Sequence, residues 1–168
     1  MSTHVFIYNR AHTSVFAADN MRNILRDIIS WSGLDATKLV DDWSGALEDA
    51  VRTWLGTSDL EQIILEFYVV GKEDAVARWD FPISYDGNGG DDDMWVAKEF
   101  VRRTIEKGQK PPANAIYRVV LISRPGRPDV PGMVATTLRG TNGLSGRLSG
   151  TAIATPDIMA SLKYWRAA

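Results

Sequence analysis

Hydrophobic residues recur at helical spacing twice in the first third of the chain. The first run follows the i, i+3, i+4, i+7 stripe of a helix with one buried face. Its apolar positions are Met21, Ile24, Leu25, Ile28 and Ile29. We expect Thr13 or Ser14 to cap this helix at its start and Gly33 to end it in the left-handed conformation.

The second run predicts a helix from about Asp35 to Gly56. Its apolar positions keep helical spacing over nearly five turns. They are Leu39, Trp43, Ala46, Leu47, Ala50, Val51, Trp54 and Leu55. We expect Trp31, Trp43, Trp54 and Trp79 to lie in the core, where large aromatic residues at regular positions are commonest.

The period then changes from helical to alternating. Residues 60–70 and 75–83 read as two strands joined by a turn at 71–74, which predicts an antiparallel hairpin. Pro82 cannot donate to a ladder and suggests a strand end or an edge position. After the loop Asp86–Asp93 the pattern predicts a third helix at about 93–107. A further strand, apolar on both faces, follows at 114–123.

Residues 125–168 have a different composition. They contain four of the seven prolines and six of the fourteen glycines, which favours irregular structure. We expect a weakly structured arm with short β-like pieces at 133–138, 151–154 and 162–165, and a turn at Asn142-Gly143. The predicted order is ααββαβ followed by this arm, in one domain spanning 1–168.

Charge and composition narrow the function classes. The 168 residues are 45% hydrophobic and 24% charged, with a net charge of −2 and no cysteine. Residues 1–124 carry 14 basic and 19 acidic side chains (−5), whereas residues 125–168 carry 5 and 2 (+3). We therefore expect no nucleic-acid partner, no disulfide or thiolate site, no signal peptide or membrane span, and a soluble, cytoplasmic protein.

Catalytic and metal-binding motifs are missing from the sequence. The stretch from Asp86 begins like a calcium loop, but Ala97 stands at the twelfth position, where a bidentate acid is needed. We interpret Asp91–Asp93 as residues that cap the third helix and complement its dipole. The only histidines are His4 and His12, and no phosphate-binding glycine motif is present. We expect no enzymatic activity, metal or cofactor.

Several segments resemble the bacterial HORMA proteins of CBASS anti-phage operons. The most specific is Arg124-Pro-Gly-Arg-Pro-Asp-Val-Pro-Gly132. The others are Ser32–Asp35, Thr53–Leu60, Ile64–Tyr68, Arg78–Asp80 and Tyr164–Arg166. The resemblance implies an α+β fold with three helices on a mainly antiparallel sheet. It also divides the chain into an N-terminal handle (1–10), a core (11–124) and a C-terminal "safety belt" (125–168), called the belt below.

The same resemblance implies a function. A closure-motif peptide adds as a strand to the sheet edge and the belt wraps over it. The peptide-bound protein then binds and activates a cyclic-nucleotide synthase (CD-NTase), and an AAA+ remodelling ATPase opens the belt. A second HORMA protein is a further candidate partner. A small enzyme with a Gly/Pro-rich active-site loop, or a static α+β interaction module, remains the alternative.

These expectations assign residues to three roles. Peptide contact is expected at Ile116, Arg118, Val120 and Ile122 of the last core strand and at Trp165, an aromatic latch near the end of the belt. The belt hinge is expected at Pro125, Gly126, Pro128, Pro131 and Gly132. The segment engaged by the remodelling ATPase is expected to include His4, Val5, Phe6 and Arg10.

Overall fold

A computed structural model of the protein describes residues 10–85 and 94–168. The first helix, α1, spans Arg10–Trp31 and buries the predicted apolar stripe. Gly33 follows it with φ of 83°, as predicted. The predicted cap is wrong: Thr13 and Ser14 lie inside α1, and their hydroxyls donate to the Arg10 carbonyl. Such back-bonding satisfies the hydroxyls within the helix.

The second predicted helix is one helical stretch with a kink. It comprises α2 (Thr37–Asp42), a π-helical segment (Trp43–Leu47) and α3 (Glu48–Gly56). Ser44 and Gly45 have non-helical dihedral angles within the π-helical segment, a common cause of a sharp kink. Trp43, Trp54 and Trp79 are buried in the core as predicted, and Trp31 packs against it partly buried.

Six strands form one sheet within the described residues. They are β1 (Leu60–Tyr68), β2 (Ala77–Ser84), β3 (Trp95–Val96), β4 (Ile116–Ser123), β5 (Leu144–Ala154) and β6 (Met159–Ala167). Their order is β3-β5-β6-β2-β1-β4, and every neighbouring pair is antiparallel. This confirms the predicted β1–β2 hairpin and the α+β class.

Two details near β2 and β3 correct the sequence-based expectations. Pro82 is close to the end of β2, as one of the two alternatives predicted. The edge alternative is wrong, because β2 lies between β6 and β1 inside the sheet. In the pairing of β2 with β6, Asp80 and Ile83 have partners and Pro82 has none. The third helix, α4, begins at Lys98 rather than near 93, because Trp95–Val96 pairs with β5 instead. The acidic run and its predicted capping role lie outside the described residues.

The belt is more ordered than its composition suggests. Only its first part, up to residue 143, is irregular; the rest forms β5 and β6. These strands bury Ala152, Ile153, Ala160, Leu162 and Tyr164 in the common core, and the turn between them buries Ile158. The expectation of short, weak β pieces is wrong here because backbone pairing of β6 with β2 compensates for the low strand propensity of the glycines and serines in β5.

The helices cover one face of this sheet. On β1 and β2 the side chains of Ile63, Leu65, Trp79 and Phe81 point into the helix-facing core. The alternate residues, such as Glu66 and Asp80, belong to the opposite face, which is called the outer face below. The predicted arrangement of three helices on a mainly antiparallel sheet is confirmed, with α1, the kinked α2–α3 helix and α4 as the three.

Candidate functional site

Strand β4 forms one edge of the sheet. It pairs with β1 on one side, and among the described residues no strand pairs with its other side. Four predicted peptide-contacting residues, Ile116, Arg118, Val120 and Ile122, lie together on β4 at alternating positions and share the outer face. An unpaired edge offers backbone donors and acceptors to an extended peptide.

The belt runs beside this free edge without forming a strand. It leaves a cleft of about 180 Å³, called the belt cleft below. The lining residues are Val119–Ser123 of β4, Met133–Thr136 and Leu138 of the belt, and Trp54 and Arg127.

A buried carboxylate fixes the belt where it crosses the sheet. Glu66 is fully buried. Arg118 Nε donates to its Oε1 at 2.6 Å, and the backbone N–H of Arg139 donates to its Oε2 at 2.8 Å. Burying an unpaired carboxylate costs several kcal/mol, so the two charge-assisted bonds favour the position of the belt seen here.

Arg118 joins β4 to the belt directly. Its two Nη atoms donate to Thr136 Oγ1 at 3.0 Å and to the Thr137 carbonyl at 2.6 Å. A little further on, the belt is fixed to the β1–β2 turn, because the Ala75 N–H donates to the Gly140 carbonyl and Arg139 lies over the Tyr68 ring at 3.7 Å. Glu66 and Arg139 were not among the predicted site residues. The available signal for Glu66 was an acid in the middle of an apolar strand.

Trp165 lies on the outer face but far from the other four predicted contacts. Across the sheet, Arg118 pairs with Glu66, Glu66 with Arg78, and Arg78 with Trp165. Three strand spacings of about 4.8 Å separate Trp165 from β4 by about 14 Å. The structure therefore does not bring Trp165 together with the other four residues, and its contact with a peptide stays a prediction.

The contacts of Trp165 connect β6 to β2. Its Nε1 donates to Asp80 Oδ2 at 3.0 Å, and the charged groups of Arg78 and Lys163 lie 5.0 and 4.5 Å from the ring. Arg78 also forms a bidentate ion pair with Asp80. The predicted latch role, in which Trp165 fastens the end of the belt, stays a prediction.

Along the chain, the predicted hinge residues lie between the end of β4 at Ser123 and Met133, where the belt begins to run along the cleft. Gly126 and Gly132 have φ of 81° and 90°, which disfavours any residue with a side chain. Pro128 is fixed to α3, because Trp54 Nε1 donates to its carbonyl at 2.8 Å. Pro125 and Pro131 restrict the backbone between these points. The hinge role of these five residues stays a prediction.

Arg10 connects the start of α1 with the belt. Its Nε donates to Asp157 Oδ2 at 2.7 Å in the turn between β5 and β6. Its Nη1 donates to the Leu55 carbonyl and to Ser58 Oγ at the end of α3. The guanidinium also lies 5.2 Å from the centre of the Tyr85 ring. His4, Val5 and Phe6 lie outside the described residues.

The environment of Asp157 favours its charged form. Partial burial alone raises the pKa of the carboxyl, but hydrogen bonds from Thr13, Arg10 and Thr155, together with the Arg10 charge, outweigh it. The pKa therefore lies below the ordinary value of 3.8. The Arg10–Asp157 ion pair links the N-terminal end of the described chain to the belt at neutral pH.

A larger groove of about 550 Å³ lies between α1 and α4. Its charged lining residues are of mixed sign, and Arg26–Asp27 and Arg102–Glu106 form ion pairs within their own helices. The lining includes no part of β4. Among residues 10–85 and 94–168 there is no metal-binding group of three or more His, Cys, Asp or Glu. No helix in these ranges is long and apolar enough to cross a membrane.

Comparison with known proteins identifies the fold and family. The chain superimposes on a chain of a mitotic checkpoint complex with a TM-score of 0.74 at 10% identity, covering 96% of this chain and 98% of that one. C. elegans HTP-2 bound to the HIM-3 closure motif superimposes with a TM-score of 0.68 at 13% identity, covering 96% of this chain and 92% of that one. A chain of the E. coli MS115-1 HORMA:CdnC:Trip13 complex superimposes with a TM-score of 0.60 at 13% identity, covering 97% of this chain and 92% of that one.

Sequence comparison adds the decisive match. No curated protein sequence matches the chain, but the family model "Bacterial HORMA domain 2" matches residues 1–168. The match covers the entire sequence, and the three structural likenesses agree with it in fold. The chain belongs to the bacterial HORMA domain 2 family.

Proposed function

We propose that this protein is a non-enzymatic, cytoplasmic adaptor that binds a closure-motif peptide between the free edge of β4 and the belt. In the peptide-bound state it binds and activates a CD-NTase in CBASS anti-phage signalling, and an AAA+ remodelling ATPase resets it. The observation that carries this proposal is an edge of β4 that no strand of residues 10–85 and 94–168 pairs, facing a cleft between β4 and the belt.

The comparisons support the choice of partners. A C. elegans relative in fold was solved with a closure motif, and an E. coli HORMA protein was solved with CdnC and Trip13. The belt also has the contacts that such a role requires. It is fixed on both sides of the cleft, by Trp54 to Pro128 and by Glu66 to Arg139, while residues 134–137 between them are exposed.

Proline substitution in β4 tests peptide pairing at this edge. Along an antiparallel strand, successive N–H groups point to opposite edges, so one of Val120 and Leu121 has its N–H directed away from β1. Proline at that position removes a donor from the free edge. We expect the corresponding variant, Val120→Pro or Leu121→Pro, to fold and to lose peptide binding at least tenfold in fluorescence anisotropy.

Val70→Pro provides the control, because Val70 is exposed in the β1–β2 turn and does not line the belt cleft. It should bind peptide like the unchanged protein. If both β4 variants fold and bind peptide normally, the peptide does not pair with β4. If no peptide from a genome-encoded library binds the unchanged protein, a static interaction module becomes the better description.

A further inference from the structure

The belt cleft contains one fixed positive charge. Among the described residues that line it, Arg127 is the only one with a charged side chain; the others carry aliphatic groups, hydroxyls, a thioether or an indole. Arg127 Nε donates to Ser123 Oγ at 2.9 Å, and its guanidinium lies 4.3 Å from the centre of the Trp54 ring. These contacts place the cation at the Ser123 end of the cleft.

The charge of Arg127 is weakly compensated. Its acidic contact is Asp129 Oδ1 at 3.2 Å, and the Asp129 side chain is fully exposed at 102%. Exposed ion pairs contribute little because water screens them. The Arg127 side chain keeps 31% of its surface exposed, so it remains able to meet a second carboxylate.

The opposite end of the cleft is electrically neutral. Arg118 comes directly before the β4 residues of the cleft, and its Nε is paired with the fully buried Glu66. Its Nη atoms already donate to Thr136 and Thr137 of the belt. Arg139, the next cation along the belt, lies over the Tyr68 ring and does not line the cleft. No described residue that lines this end of the cleft is charged, so the two ends differ in the charge that they accept.

From this asymmetry we infer that the protein selects extended peptides with an acidic residue at the end that lies beside Arg127. The residues between the two ends are uncharged, because the walls of the cleft are apolar or hydroxylated. A lysine or arginine beside Arg127 is disfavoured by like-charge repulsion. The inference rests on the proposed function and specifies the class of peptide that it involves.

A set of six defined peptides tests the inference with the full-length protein. Each is a labelled hexapeptide of alternating alanine and valine, acetylated and amidated to remove its terminal charges. Glu, Gln or Lys stands at its first or last position. At one of the two positions we expect Glu to bind about threefold tighter than Gln and about tenfold tighter than Lys. The preference should weaken between 50 and 500 mM salt.

Charge reversal at Arg127 gives the decisive comparison. In Arg127→Glu the Lys peptide should become the tightest of the three, whereas Arg127→Lys should keep the preference for Glu. The matched control is Arg124→Glu, because Arg124 is nearby and exposed but does not line the cleft. This control should leave the order of the three peptides unchanged.

Two results would overturn the inference in different ways. If the hexapeptides bind but Glu, Gln and Lys are equivalent, or if Arg127→Glu keeps the preference for Glu, the charge selection is wrong while peptide binding stands. If none of the hexapeptides binds and the genome-encoded library also yields no ligand, the proposed function fails and the selection fails with it.

Discussion

Trp165 is the residue that we expect to set how long the belt stays closed. Its indole N–H bonds Asp80, and its ring lies against Arg78 of β2. In Trp165→Ala the closed state loses apolar burial and a cation–π contact together worth about 2 kcal/mol. Peptide dissociation, followed by stopped-flow fluorescence, should accelerate about thirtyfold, while association changes little because the loss falls on the closed state.

Two variants separate a latch from a general packing role. Trp165→Phe keeps an aromatic ring without the N–H donor. Its peptide dissociation rate should lie between those of the unchanged protein and Trp165→Ala. Trp95→Ala removes a tryptophan that is 46% exposed on β3 and should leave dissociation unchanged. An unaltered dissociation rate in Trp165→Ala would refute the latch, and a collapsed melting transition would show that Trp165 belongs to a permanently docked strand.

At the scale of elements, the β5–β6 hairpin is tied to α1 by a titratable group. Because the pKa of Asp157 is depressed in the folded state, its stabilising contribution is present above the unfolded pKa of about 3.9. It is lost as the pH falls through the lower folded value. We expect Asp157→Asn to lower the free energy of unfolding by about 1 kcal/mol at pH 6, and this difference to shrink below pH 4.

Urea unfolding of both proteins from pH 6 to pH 2.5 measures the difference. Asp129→Asn is a suitable control, since Asp129 is fully exposed and should show no difference at any pH. A difference between Asp157→Asn and the unchanged protein that stays constant down to pH 2.5 would mean that Asp157 acts through its shape and hydrogen bonds rather than through its charge.

Elements with a strong period were predictable and elements that depend on distant partners were not. The stripe of α1 and the alternation of β1 and β2 are local patterns, and both were confirmed. Strand β5 has the sequence Leu-Ser-Gly-Arg-Leu-Ser-Gly in its first part, which has no local strand signal. It becomes a strand because β6 aligns it, and β6 is aligned by β2, about 80 residues earlier.

At the scale of the molecule, force on the N-terminal segment should reach the belt through Arg10. Residues 1–10 are the predicted handle for an AAA+ ATPase, and Arg10, the last of them, bonds Asp157 between the two belt strands. We expect deletion of residues 2–8 to leave peptide affinity within about twofold and to abolish ATP-dependent peptide release. The measurement is release of labelled peptide with ATPase and ATP present.

An ATPase variant that cannot hydrolyse ATP gives the baseline for this measurement, and Arg10→Gln tests the connection separately. This substitution removes the Arg10–Asp157 ion pair but keeps residues 1–9 of the handle, so release should persist and spontaneous opening should rise. Unchanged ATP-dependent release after the deletion would place the handle elsewhere in the chain.

The candidate site was predictable only as far as chain order allows. The last core strand before an irregular segment is a natural sheet edge, and β4 is one. The residues that fix the belt beside it come from three separate stretches: Glu66, Arg118 and Arg139. Their meeting depends on register across the sheet and on the course of the belt, neither of which leaves a periodic signal.

The pairing of β6 with β2 also has a consequence for synthesis of the chain. Trp79 and Tyr164 face each other across this ladder, although Tyr164 is translated 85 residues later. At about 5–20 residues per second, β2 exists for roughly 4–17 s before its partner is made. Strand β4 is complete within the same interval, with no belt beside it. A peptide that pairs with β4 on the ribosome would be enclosed when the belt closes, so a newly made protein can acquire its ligand before any ATPase acts on it.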